Sequence, residues 1–87
     1  MAQRPTNRNQ LTRSEHLRIE EVVAEWNAEF EYLRERLRTQ VEEADVDGAE
    51  YTAILMATTM SQIAIVQGAQ RGDPTVISSM RQVGAFL

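Results

Sequence analysis

Cysteine is absent from the 87 residues, so neither a disulfide nor a thiolate metal site can hold this chain together. Lysine is absent as well. All nine basic residues are arginine, and thirteen Asp and Glu outweigh them to give a formal net charge of -4. That surplus of acid excludes general electrostatic binding of nucleic acid by the whole surface, because phosphate affinity comes from clustered positive charge. There is one histidine, His16; with Glu20 at i+4 it makes at most half of a metal site, and the reading is a surface histidine near a helix start. No phosphate-binding loop and no nucleophile elbow occur, and no strand-like alternation or internal repeat. The first residues are polar, carry Arg4, Pro5 and Arg8, and lead into no apolar run, which does not read as a signal peptide.

One charge-free stretch is long. Tyr51 to Gln70 is a run without Asp, Glu, Arg or Lys, and it has the length of a membrane span. Gln62, Gln67 and Gln70 are costly in hydrocarbon, and Thr52, Thr58, Thr59 and Ser61 dilute the rest. The expectation is a helix buried against protein, with the chain in the cytoplasm or in a soluble assembly.

What remains is helical periodicity. Residues 1–11 read as a flexible polar arm and 12–87 as one helical domain. Thr12 and Glu15 have the spacing of a capping box. Ile19, Val23, Trp26, Phe30, Leu33, Leu37 and Val41 then follow at helical spacing, the earlier steps alternating four and three as in a heptad seam. The first helix is expected over about 13–45. Asp45 to Gly48 breaks it, and Asp47 is expected to cap a second helix over about 48–70. Gly72, Asp73 and Pro74 stop that helix and start a third over about 74–85, whose last turn Gly84 weakens. The fold class is all-α: a long antiparallel hairpin with coiled-coil-like packing and a short third helix.

The hairpin has a proposed register. Small residues Ala53, Ala57, Ser61, Ala64 and Gly68 mirror large residues Val41, Leu37, Leu33, Phe30 and Trp26 when the chain folds back at Asp47. Large-on-small pairing lets helices interdigitate without voids. Leu55, Met56, Met60, Ile63 and Val66 are then left over as a candidate surface for oligomerisation, and Val22 and Tyr32 lie off the first helix's seam.

The functional expectation is a non-catalytic structural or adaptor protein that associates through its helices, with itself among its partners. A virion component, scaffold or chaperone-like protein fits by shape. Two alternatives stand beside it: a nucleic-acid-associated packaging or regulatory oligomer using Arg4, Arg8 and Arg13 in the arm, and an acidic inhibitor of a DNA-binding partner. Arg34, Arg36 and Arg38 are flanked by Glu31, Glu35, Glu42 and Glu43, so pairing within the helix is the simpler reading of that cluster. No catalytic, cofactor or metal residue is assigned.

Overall fold

The computed structural model describes residues 10–86. It consists of α1 (Arg13–Glu42), α2 (Val46–Gln70) and α3 (Pro74–Gln82). α1 and α2 form the antiparallel hairpin expected from the spacing, and α3 closes its open end.

Local chemistry explains each boundary. Thr12 caps α1 through its hydroxyl, which accepts from the Glu15 N–H, while Glu15 accepts in return from the Thr12 N–H at 2.9 Å. α1 ends at Glu42, three residues before the expected end. There the Asp45 N–H donates to the Gln40 carbonyl and the Ala44 N–H to the Val41 carbonyl, the two bonds of a Schellman stop. Ala44 takes the left-handed position at φ 59, where an L side chain costs about 1–2 kcal/mol and glycine is usual. That stop shortens the turn, so the cap of α2 is Asp45 and not Asp47. The Asp45 carboxylate accepts from the Gly48 N–H at 3.0 Å. Gly72, at φ 87, plays the left-handed part at the end of α2, and Asp73 caps α3 with Pro74 in its first turn. Gly84, at φ 74, is the stop of α3 and lies outside it, so the helix ends at Gln82 and not near 85.

The seam between α1 and α2 is heptad-spaced on both sides. On α1, Ile19, Leu33 and Gln40 are buried and Val23, Trp26, Phe30 and Leu37 half-buried. On α2, Thr52, Thr59 and Val66 are buried and Met56 and Ile63 half-buried. A hydrogen bond 2.7 Å long, from the Thr52 hydroxyl to the Gln40 amide oxygen, sets the alignment. Counting outward by heptads from that bond places Leu33 opposite Thr59 and Trp26 opposite Val66.

This alignment overturns the large-on-small register. Ala53, Ala57, Ser61 and Ala64 are exposed, and so is Val41, at 64%. Gly68 is buried, but a side chain there would meet Val76 of α3 at 3.5 Å and not Trp26. Trp26, Phe30, Leu33 and Leu37 do face the seam, where they meet the stripe one to two residues away from the small one, about 140° round α2. The physical reason lies in the threonines. Their hydroxyls make Thr52 and Thr59 look like surface residues, yet both are satisfied inside the seam: Thr52 by Gln40, and Thr59 by the Leu55 carbonyl one turn back at 3.0 Å.

α3 completes the core at the open end. Ile19, Val66, Ala69 and Ile77 are buried together there, with Leu11, Val23, Trp26, Val76, Met80 and Phe86 packed around them. An ion pair holds the helix in place. The Arg81 guanidinium donates from Nε to Glu15 Oε2 at 2.9 Å and from its terminal nitrogen to Glu15 Oε1 at 2.8 Å, and reaches the Gln10 carbonyl at 2.6 Å. The hydrogen bonds from Arg81, helped by those from Thr12, hold the Glu15 carboxyl at about 2, against 4.5 for an unperturbed glutamate. Because the folded value is depressed, the stabilisation is complete above about pH 4.5 and is lost as pH falls from there toward 2. A drop of roughly 5 °C in Tm over that window is expected to trace to this group. Glu15→Gln should lower Tm at pH 7 and flatten the acid limb. An acid limb identical in the two proteins would assign the pH dependence to other carboxylates.

Candidate protein interaction surface

The exposed side of α2 is built by the same periodicity as its buried side. Tyr51, Ile54, Thr58, Ser61 and Ile65 follow one another at steps of three and four, which is a second heptad stripe on one helix. At 100° per residue its centre lies about 140° round from the seam. All five residues except Thr58 and Ser61 are large and apolar, with Tyr51 64% exposed, Ile54 59% and Ile65 56%. Ala57 and Ala64 lie beside the stripe and are exposed too, so the backbone of α2 is closely approachable along it. No charged side chain interrupts the helix between Glu50 and Arg71.

The surface proposed from sequence alone is largely consumed by the fold. Val66 is buried with Ile19 and Ile77, and Leu55, Met56 and Ile63 are half-buried. Of those five residues only Met60 stays open, at 57% exposure. Once Thr52 and Val66 turn toward α1, the free face of α2 is the one carrying Ile54 and Ile65. The alternating three-and-four spacing from Tyr51 to Ile65 is the signal that could have found it.

α1 has the opposite character. Its outer surface carries ion pairs within the helix: Arg18 with Glu21 at 3.3 Å, Arg34 with Glu31, and Arg38 with Glu35 at 3.0 Å. Pairing of Arg34 and Arg38 with their own glutamates matches the simpler reading of that cluster. Arg34 also lies over the Phe30 ring, 5.9 Å from its centroid, capping a seam residue from the solvent side. Arg13 is exposed as the first residue of α1, and Arg4 and Arg8 lie outside the described residues. His16 is exposed on α1, and among the described residues no group of three or more His, Cys, Asp or Glu is placed to hold a metal.

α2 is long and apolar enough to cross a membrane by length and composition, and only 28% of its most apolar stretch is buried within the chain. A helix at the core of a self-contained bundle would be mostly covered. No protein-family model matches this chain, and no curated protein and no solved structure shows a significant match.

Proposed function

We propose that this chain is a non-catalytic structural or adaptor protein that acts by helix-mediated association, with copies of itself among its partners. The observation behind this reading is the second heptad stripe of α2, which the hairpin leaves in solvent. A heptad stripe specifies a neighbouring helix, and among the described residues the three helices supply none for it. α1 has its seam occupied by the inner face of α2, and α3 covers only the open end. The remaining surface of α1 carries three ion pairs within the helix and only isolated exposed apolar residues, Leu17, Tyr32 and Val41, which suits the outside of an assembly.

Absolute mass in solution tests the reading. Light scattering across a hundredfold range of concentration should give a mass above 9.9 kDa that rises with concentration. A mass of one chain throughout, with no apolar dye bound, would remove self-association from the function.

A further inference from the structure

We propose that the outward stripe of α2 docks on the same stripe of a second copy, with the two α2 helices antiparallel. This rests on the self-association reading above and names its surface and partner.

The occupant follows from chemistry. The stripe of Tyr51, Ile54, Thr58, Ser61 and Ile65 calls for a helix face that is apolar at heptad spacing and uncharged along its length. Within this chain such a face occurs once among the described residues, on α2 itself, so a two-fold pairing supplies its own complement. A lipid surface fits less well. The chain carries a net charge of -4 and is repelled by anionic headgroups, and α2 has no basic residue within the stripe to anchor it at an interface.

Antiparallel heptads pair in layers, and one alignment matches these residues. Ile54 then lies against Ile65 of the other copy, and Thr58 against Ser61. The two-fold axis falls between the Thr58–Ser61 layers. Two apolar layers thus flank two small hydroxyl layers, and Ala57 and Ala64 beside them permit close approach. From Tyr51 to Ile65 the stripe is about 20 Å long and a helix is about 10 Å wide, a footprint on the order of 200–300 Å². That is well under the ~800 Å² per partner of a standard stable interface, so the dimer forms and dissociates in the micromolar range or above.

Charge complementation tests face and direction together. Sedimentation equilibrium of Ile54→Glu and of Ile65→Arg should each show association weakened about 100-fold or more, toward monomer, since a lone charge enters an apolar layer. Val41→Glu, at an exposed position on α1, should associate like the parent. Combining Ile54→Glu and Ile65→Arg in one chain should restore the dimer, because each new acid meets the partner's new base; the two positions are too far apart on one helix to pair within it. Circular dichroism of every variant checks that the hairpin survives. If the single variants dissociate and the combination stays monomeric, the antiparallel pairing is overturned. If the mass exceeds one chain and neither variant changes it, self-association stands and this surface is overturned. Co-sedimentation of the parent with neutral phosphatidylcholine vesicles, abolished by Ile54→Glu, would overturn the second copy in favour of lipid.

Discussion

Ile77→Ala should cost about 2–5 kcal/mol and lower Tm by more than about 10 °C. Ile77 is the most buried side chain of α3, with 0% exposure, and it is the plug that Ile19, Val66 and Ala69 close around. Truncating it removes apolar contact from three helices at once and leaves a cavity that rigid seam residues on α1 and α2 can fill only in part. An 87-residue chain has on the order of 4–13 kcal/mol of total stability, so this single change takes a large share of it. Val83→Ala is the control: Val83 is 79% exposed just past α3, and its loss should stay within about 0.5 kcal/mol. Thermal melting followed at 222 nm compares them. An Ile77→Ala protein that melts with the parent would mean that α3 does not hold the open end shut.

The second large effect concerns the polar layer beside the turn. Thr52→Val should destabilise by about 1–3 kcal/mol, because it removes the donor from the Gln40 amide oxygen while that side chain stays buried at 8% exposure. Replacing both partners, Gln40→Leu with Thr52→Val, should return stability to the parent's level or above it, since no polar group is then stranded. Thr59→Val is a useful contrast. The Thr59 hydroxyl bonds its own helix at the Leu55 carbonyl, so nothing across the seam depends on it. Urea denaturation of the four proteins closes the comparison. A single Thr52→Val as stable as the parent would show that Gln40 finds other partners.

These residues also show where sequence reading worked and where it stopped. The Thr12–Glu15 box and the Gly72, Asp73, Pro74 sequence between α2 and α3 were legible because each is settled within five residues of chain. The turn was misplaced by two residues because its left-handed position is filled by Ala44, which carries no glycine signal, and because Asp45 and Asp47 are equally good caps by composition. The register failed for a different reason. A face of small residues and a face of threonines and medium apolar residues both suit the large residues of α1, and only the buried Gln40–Thr52 bond separates them. The Glu15–Arg81 pair was out of reach altogether. Glu15 is identifiable as part of a cap, but its second partner depends on where α3 lands, and no periodicity encodes that. The same shift of register explains why Val66, Met56 and Ile63, expected to be left over, are drawn into the seam while Ile54 and Ile65 stay exposed.

The same ion pair has a consequence for the order of assembly. Residues 15 and 81 are separated by 66 positions, while Gln40 and Thr52 are separated by only 12. Closing a loop costs more entropy the longer it is, so contacts near the turn form at lower cost than the one that seals the ends. The hairpin can therefore zip from the Asp45 turn before α3 docks, and for that interval Ile19 and Val66 lack the cover that Ile77 gives them. A folding chain thus passes through a stage with apolar surface exposed at its open end as well as along α2, and it is then most open to capture by a chaperone or by a neighbouring copy.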